Sequence, residues 1–295
     1  MTHSIGTPLL WAGFTVVVLV LLALDLFVFH RKAHEVKVKE ALIWSAVWIS
    51  LALGFAGFVW LRAGQQPALE YLTGYVIEKA LSVDNLFVFV IVFAHFGVPA
   101  KDQHRVLFWG VLGALVMRAL FIGLGAALLT RFHWVAYVFG AFLVITGIKL
   151  IWQRDDDPDP EAGFILRTVR RIAPNLPKLA LVLIVVETTD LVFAVDSIPA
   201  IFAVTQDPFI VYTSNIFAIM GLRSLYFALA GVMGRFHYIK LGLALVLGFV
   251  GVKMLISGIV HVPVTVSLGV IVLLIGGSVV ASLAFPPQGK PRTEP

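Results

Sequence analysis

The stretch Val185-Val-Glu-Thr-Thr-Asp-Leu-Val-Phe-Ala-Val-Asp-Ser-Ile-Pro199 decides the fold, because it is apolar enough for a bilayer and yet carries three acids. The acids are Glu187, Asp190 and Asp196. A charged carboxylate at the centre of a bilayer costs about 2.5–3.5 kcal/mol on insertion scales. Three of them in one span require a cation, a counter-charge or a water-filled cavity beside them. The stretch is therefore a candidate functional site within a membrane helix.

The composition of the chain indicates an all-α polytopic membrane protein. Of its 295 residues, 60% are apolar and 13% are charged, whereas soluble domains average about 45–50% apolar. The apolar residues fall in blocks of about 20, which is the length that crosses a hydrocarbon core of roughly 30 Å. The net charge of +5 does not indicate nucleic-acid binding, because the basic residues lie in short loops. The sequence has no cysteine, which excludes disulfides, thiolate metal sites and redox thiols within it.

We predict a single membrane domain, residues 1–295, with nine transmembrane helices. The predicted spans are 8–29, 41–62, 71–95, 106–129, 134–152, 179–204, 211–233, 238–259 and 264–284. The loops on one side of these spans hold fifteen Lys and Arg residues, and the loops on the other side hold only Arg62 and Arg131. The positive-inside rule therefore predicts that the N-terminus lies outside and the C-terminus in the cytoplasm. No cleavable signal peptide is expected, because no Lys or Arg precedes Leu9.

Two segments are predicted to lie outside the bilayer on the cytoplasmic side. The connecting loop 153–178 begins with an acidic run and continues with apolar residues at helical spacing, interleaved with arginines. This pattern fits an amphipathic helix on the anionic inner leaflet and equally an ordinary surface helix against the bundle. The tail 285–295 is rich in proline and is expected to be disordered.

The two halves of the chain carry four landmarks in the same order, which indicates an internal repeat. The landmarks are Glu78…Asp84 and Asp190…Asp196, then Arg118 and Arg223, then Arg131-Phe-His and Arg235-Phe-His, then Lys149 and Lys253 within Gly-x-Lys. The repeat units, 71–152 and 179–259, are each three spans long, so the second enters the membrane from the opposite side. Such inverted repeats are typical of secondary transporters, whose substrate site lies at the midplane between the units.

The geometry of an α-helix limits how the acids can meet. Glu187 and Asp190 share a face, whereas Asp190 and Asp196 are about 120° apart around the axis. Because Pro199 removes a backbone donor, we predict that span six is kinked or locally unwound around 195–199. Ser82 and Asn85 are expected to loosen span three by local hydrogen bonds.

The polar residues of the spans form a candidate site made of hard oxygen donors. The candidate metal ligands are Glu78, Asp84, Glu187, Asp190 and Asp196, the secondary ligands are Asn85, Ser197 and Asn215, and the charge-balancing residues are Lys79, Arg118 and Arg223. Oxygen ligands suit Mg²⁺, Ca²⁺ and Mn²⁺; Cu(I) is disfavoured without cysteine, and Zn²⁺ would require nearby histidine. Five ionised acids and three basic residues leave a charge that one divalent cation cancels, although buried carboxylates often stay protonated.

Plainer interpretations remain open for several of these residues. The two arginines could simply neutralise acids and pin the helices together. Asp25 lies near the inner end of span one, where an interfacial hydrogen bond is an alternative to a ligand role. Lys149 and Lys253 lie near span ends and are expected to snorkel. The histidines His95, His133, His237 and His261 also lie at or near span ends, where metal ligation is not expected. The motifs of zinc proteases, serine hydrolases and phosphate-binding loops are missing, so no enzyme is predicted.

Four motifs together resemble the TerC family of integral membrane proteins, in its bacterial Alx-like branch. They are Leu24-Asp-Leu-Phe-Val-Phe-His-Arg, Glu78-Lys-Ala-Leu-Ser-Val-Asp-Asn-Leu-Phe-Val-Phe, Glu187-Thr-Thr-Asp-Leu-Val-Phe-Ala-Val-Asp-Ser-Ile-Pro-Ala and Ser214-Asn-Ile-Phe-Ala-Ile-Met-Gly-Leu-Arg-Ser-Leu. The resemblance covers nearly the whole chain and implies manganese efflux across the bacterial inner membrane. It also implies that the five candidate acids bind the metal.

Two functional hypotheses follow. The first is a Mn²⁺ exporter that works by alternating access, with proton coupling as an open option and Mn²⁺ as substrate rather than cofactor. The second is a non-transporting stress-response or tellurite-resistance component of the membrane, in which the buried charges are structural. Transport of an oxyanion would need a basic cavity, whereas the predicted core is acidic. The expected partners are a divalent cation and the lipid bilayer, with no nucleic acid.

Overall fold

A computed structural model describes residues 4–27, 38–132, 134–152, 176–229, 238–260 and 262–285 of the chain. Over these ranges all regular elements are helices, which confirms the all-α prediction. The helices are α1 (Pro8–Phe27), α2 (Val38–Ala63), α3 (Gln65–His95), α4 (Ala100–Arg131), α5 (Val135–Trp152), α6 (Lys178–Phe202), α7 (Pro208–Met220), α8 (Leu222–Leu229), α9 (Ile239–Leu255) and α10 (Val264–Ala284).

Each predicted span coincides with one helix, except that the seventh is divided into α7 and α8. By length and composition, α2, Asp102–Arg131 of α4, α5 and α10 are suited to cross a membrane, and Pro8–Leu24 of α1 is a shorter apolar helix. Helices α3 and α6, which carry acidic residues within their length, are not among these apolar helices. The protein therefore has several apolar membrane helices, and nine crossings and their orientation stay predictions.

Proline and glycine mark where several of the helices begin and end. Pro99, Pro177 and Pro263 directly precede α4, α6 and α10, where a missing backbone N–H leaves no hydrogen bond unmade. Gly97 follows α3 with a φ of 52°, in the left-handed region that glycine adopts without strain. Asp207 caps α7, because its Oδ1 accepts a hydrogen bond from the backbone N–H of Phe209 at 2.9 Å.

Hydrogen bonds between segments distant in sequence mark the two ends of the bundle. At the Asp207 end, the hydroxyl of Ser4 donates to Asp207 Oδ1 at 2.6 Å, and the hydroxyl of Thr205 donates to Glu70 Oε2 at 2.6 Å. At the Gly97 end, Lys178 Nζ donates to the carbonyl of Gly97 at 3.4 Å. Helix α3 therefore runs from the Asp207 end to the Gly97 end, and α6 runs the opposite way.

Helix α3 lies at the centre of the bundle, packed against α2, α6, α7 and α10, while α4 packs on α6. Helices α1, α2 and α10 carry large apolar side chains that face outward, among them Leu61 at 88% exposure and Leu273 at 74%. Such surfaces suit contact with lipid tails. Helices α4 and α5 carry such side chains too, among them Val116 and Ile145, so the peripheral position of spans one, two and nine stays a prediction.

Helices α5 and α9 cross at close range because small residues line the contact. A Cβ atom added at Gly140 would lie 3.0 Å from the carbonyl oxygen of Gly251. A Cβ atom at Gly147 would lie 2.8 Å from the carbonyl oxygen of Ala244. Backbone contact through small residues is a common way for membrane helices to associate.

The predicted local unwinding of span six is wrong, and the alternative of a kink there stays a prediction. Helix α6 is continuous through Pro199 to Phe202, because the proline lies in its last turn, near the end of the helix. Helix α3 is also continuous, since Ser82 and Asn85 donate to the carboxylates of Glu78 and Asp190 instead of loosening their own backbone. The interruption lies instead at Gly221, between α7 and α8.

Several predictions fall outside the described residues. They concern residues 153–175 of the connecting loop, the tail beyond residue 285, residues 230–237 with the second Arg-Phe-His motif, His133 and His261, and the side chains of Asp25, Asp84 and His95.

The close crossing of α5 and α9 predicts the effect of a single methyl group. Gly147→Ala should lower the free energy of unfolding by about 1–3 kcal/mol, because the new Cβ would overlap backbone atoms of α9 that have no free rotation. Gly123→Ala is the matched control, since nothing lies within 4 Å of its added Cβ. Thermal unfolding in detergent, followed by tryptophan fluorescence, measures both. Equal midpoints for the two variants would contradict the crossing.

Candidate functional site

A cluster of buried polar side chains lies where α3, α4, α6 and α7 meet. The members are Glu78 and Asn85 on α3, Arg118 on α4, Asp190 and Ser197 on α6, and Asn215 on α7, and none is more than 5% exposed. On α3 and on α6 the two members are seven residues apart, which places them on one helix face two turns apart. The sequence therefore turns both polar faces toward the same point.

Arg118 is the centre of this cluster. Its Nη1 atom donates to Glu78 Oε1, and its Nε and Nη2 atoms donate to the two oxygens of Asp190 at 3.3 Å each. One guanidinium thus bridges carboxylates that come from two antiparallel helices. Its planar fork of donors suits paired carboxylate oxygens, which a lysine could not match.

Amide and hydroxyl groups complete the contacts around the carboxylates. Asn215 donates through Nδ2 to Glu78 Oε2 at 3.0 Å, and its Oδ1 accepts from Arg118 at 3.1 Å. The hydroxyl of Ser197 accepts from Arg118 at 3.4 Å, and Asn85 Nδ2 donates to Asp190 Oδ1 at 3.5 Å. All three predicted secondary ligands therefore lie in the cluster.

One oxygen of the cluster is buried without a hydrogen bond. Asn85 is 2% exposed, and within the described residues its Oδ1 atom has no hydrogen-bond partner. A buried acceptor left in this way costs about 1–3 kcal/mol of desolvation. The cluster therefore keeps one acceptor that a cation or another donor would satisfy.

A small cavity of about 20 Å³ adjoins the cluster on its Gly97 side. Glu187, Asp190 and Arg223 line it together with apolar residues of α3, α4, α6, α7 and α8. This confirms that Glu187 and Asp190 share a face of α6. Glu187 lies against Gly113 so closely that a Cβ atom added there would be 2.0 Å from its Oε1 atom.

Asp196 points to a different neighbour from Asp190. It is half-buried, and its Oδ1 atom accepts from the hydroxyl of Thr146 on α5 at 3.2 Å. Because α6 is not unwound, the 120° offset of the two acids is retained. Asp84 lies on α3, but its side chain is not described.

The five predicted acids therefore do not appear as one group. Glu78 and Asp190 share Arg118, and Glu187 adjoins them across the cavity. Over the part of the chain that the structure describes, no three His, Cys, Asp or Glu side chains are placed to hold a metal ion together. A site formed by all five acids stays a prediction.

The other predicted charge-balancing residues lie beside the cluster rather than in it. Lys79 Nζ donates to the carbonyl of Ala218 at 3.2 Å. A Cβ atom added at Gly221 would lie 2.6 Å from Lys79 Nζ. The lysine thus caps the carboxyl end of α7, where the helix dipole favours a cation. Arg223 lies 6.0 Å from the centre of the Phe108 ring.

Sequence reasoning missed three features of the site. Thr146 is a neutral residue on an apolar span, and nothing in its spacing distinguishes it. Gly113 makes room for Glu187, and the spacing of Gly110 and Gly113 on one span was the signal for a close contact there. Gly221 separates α7 from α8, although glycine in a helix pattern is a known sign of an interruption.

Comparison with known proteins places the chain in a family. Residues 63–290 match the profile described as "Integral membrane protein TerC family". The chain belongs to the TerC family. An uncharacterized membrane protein of Myxococcus xanthus is 55% identical to it, over 95% of this chain and 93% of the relative. The Escherichia coli protein named "Putative membrane-bound redox modulator Alx" is 48% identical, over 91% and 92% of the two chains.

A less similar relative also matches this chain over nearly its whole length. An uncharacterized membrane protein of Rickettsia felis is 40% identical, over 92% of this chain and 97% of the relative. No solved structure matches the chain. The resemblance drawn from the four motifs is therefore confirmed at the level of the family and of its Alx-named members.

The bridging position of Arg118 predicts a large loss of stability when its charge is removed. Arg118→Gln should lower the free energy of unfolding by about 3–5 kcal/mol, because two buried carboxylates lose their counter-ion. Arg62→Gln is the control, since it removes the same charge from an exposed position at the end of α2. Thermal unfolding in detergent measures both. A loss of stability no larger than that of the control would show that Arg118 does not stabilise the cluster.

Proposed function

We propose that this TerC protein is a divalent-cation transporter with Mn²⁺ as its substrate. The observation that carries the proposal is the convergence of Glu78 and Asp190, from two antiparallel helices, on one buried point. Transporters of the inverted-repeat class place their ion sites in this way. Export as the direction, Mn²⁺ as the ion and the inner membrane as the location are implied by the family resemblance. The N-terminus outside and the C-terminus in the cytoplasm follow instead from the Lys and Arg bias of the loops.

The chemistry of the cluster supports a hard divalent ion. Its members offer carboxylate, amide and hydroxyl oxygens, which are the ligands that Mn²⁺ and Mg²⁺ prefer. The described cluster brings two carboxylates against one guanidinium, so a single negative charge remains formally unbalanced. A proton would balance it, and a divalent cation would balance it together with the adjoining carboxylate of Glu187 when that group is ionised. The same carboxylates could therefore exchange protons for metal.

The packing of the helices supports the inverted repeat on which the proposal depends. Helix α3 packs on α7 and α4 packs on α6, so the first helix of each predicted unit contacts the second helix of the other. Helices α3 and α6 are antiparallel, as two units of opposite orientation require. Helices α5 and α9, the third members, pack on each other.

The cavity beside Glu187 supports a route to the cluster from one end. Glu187 and Asp190 both line this cavity, and Asp190 also belongs to the cluster. A cation that entered from the Gly97 end would meet Glu187 before Asp190. In the absence of metal, Arg118 bridges the two inner carboxylates, balances one of their charges and lowers the energy of the empty site.

One observation favours a second function. A guanidinium that bridges two carboxylates and joins three helices is also what a purely structural clamp would show. In that case the chain would be a non-transporting component of the membrane. The Alx relative is named as a redox modulator, and without cysteine this chain has no thiol for such a role.

Transport across a membrane distinguishes the two functions. In proteoliposomes with a metal-quenched dye inside, the wild-type chain should admit Mn²⁺, and Asp190→Asn should lower the rate at least tenfold, because the buried site loses a charged ligand. Asp102→Asn, in the first turn of α4, is the matched control and should keep the rate. Mg²⁺ and Zn²⁺ assayed in parallel establish the selectivity. Equal rates for the two variants would contradict the site.

Binding of metal should also appear as stability. At a Mn²⁺ concentration 100 times Kd, the wild-type chain should gain about 2.7 kcal/mol in unfolding free energy, and Asp190→Asn should gain almost nothing. Thermal unfolding in detergent with and without Mn²⁺ gives the shift. A structural clamp predicts no shift in either protein, which would rule out a specific metal site.

A further inference from the structure

The contact between α5 and α9 follows a two-fold register. The Arg-Phe-His motifs at 131–133 and 235–237 are 104 residues apart, and this offset pairs Gly140 with Ala244 and Gly147 with Gly251. Gly140 contacts the carbonyl of Gly251, and Gly147 contacts the carbonyl of Ala244. If each residue is replaced by its equivalent in the other unit, the first contact becomes the second. The third helices of the two units therefore meet about a local two-fold axis.

The repeat extends to the polar cluster, with an offset of 112 residues between α3 and α6 and of 105 residues between the two arginines, and it exposes an asymmetry. The equivalent pairs are Glu78 with Asp190, Asn85 with Ser197, and Arg118 with Arg223. Arg118 binds both carboxylates and Ser197. The equivalent arrangement would place Arg223 between the same carboxylates, with Asn85 as its additional acceptor. Asn85 Oδ1 is the buried acceptor for which the described residues supply no hydrogen bond.

The cavity shows a matching asymmetry. On the Gly97 side it is lined by Val111, Glu187 and Arg223. The equivalent positions on the Asp207 side are Ile216, Tyr75 and Arg118, and all three side chains are buried. That side is packed tightly, since a Cβ atom added at Gly74 would lie 2.8 Å from the hydroxyl of Ser214. One side of the cluster thus has a cavity, and its equivalent is filled by side chains.

We propose that Arg118 and Arg223 alternate on the carboxylate pair Glu78 and Asp190, one in each of two conformations. In the conformation described, Arg118 holds the pair and the cavity lies toward the Gly97 end. In the other, Arg223 holds the pair, Asn85 Oδ1 accepts from it, and the cavity forms toward the Asp207 end. The proposal rests on the transport function above and assigns its two states to two arginines.

The exchange has a physical reason. Two buried carboxylates that lose their counter-ion are strongly destabilised, so a conformational change that simply released Arg118 would face a high barrier. A second guanidinium from the equivalent position restores the lost hydrogen bonds in the new state. Helix α8 carries Arg223 directly after the interruption at Gly221, so it is joined to α7 at a point where the helix is already broken.

The sequence has no cysteine, so single cysteines report the two states without background. Val111→Cys lies on the open cavity, and Ile216→Cys is its equivalent on the closed side. In the full chain in liposomes, a small membrane-impermeant thiol reagent should modify position 111 quickly and position 216 slowly. Adding Arg223→Gln should lower the rate at position 216 at least tenfold and leave position 111 unchanged, because the second state loses its guanidinium.

Arg62→Gln is the charge-matched control and should alter neither rate. Arg118→Lys, which keeps the charge with fewer donors, should raise the rate at position 216. An unchanged rate at 216 with Arg223→Gln, or no reaction at 216 in the wild-type background, would overturn the exchange. The assay needs no metal, so failure of Mn²⁺ transport with responsive cysteines would reject the substrate alone. Transport with unresponsive cysteines would reject the exchange alone.

Discussion

The neutralisation of two carboxylates inside an apolar bundle is the constraint on which the arrangement of the central helices depends. Glu78 and Asp190 are buried, and Arg118 supplies the opposite charge from a third helix. Because the three side chains must meet, α3, α4 and α6 are fixed in register. The amides of Asn85 and Asn215 then fill the remaining hydrogen-bond positions.

Much of the fold was predictable because a bilayer leaves few choices. Blocks of about 20 apolar residues must be helical there, since every backbone group has to be satisfied within its own segment. The helices accordingly begin and end near the predicted limits, with prolines at several starts. The sequence also indicated which helices carry the site, because acids within apolar spans are retained only where something neutralises them.

The precise neighbours of each acid were not predictable from spacing. Helical periodicity indicates that Asp190 and Asp196 point in different directions, and Pro199 predicts an unwinding of the helix that would bring them together. Its effect is small because it lies at the end of α6, so Asp196 bonds to Thr146. The helix interruption at Gly221 depends on packing against Lys79 and Trp48, which only the tertiary structure reveals.

The glycine contact between α5 and α9 has a mechanical consequence. Two backbones that touch without intervening side chains cannot slide far past each other, so a tilt of one predicted repeat unit against the other would turn about this crossing. The largest excursions then fall at the two extremities, where the Lys178–Gly97 and Ser4–Asp207 hydrogen bonds lie. These two hydrogen bonds lie farthest from the crossing, and each would be stretched by a tilt in one direction.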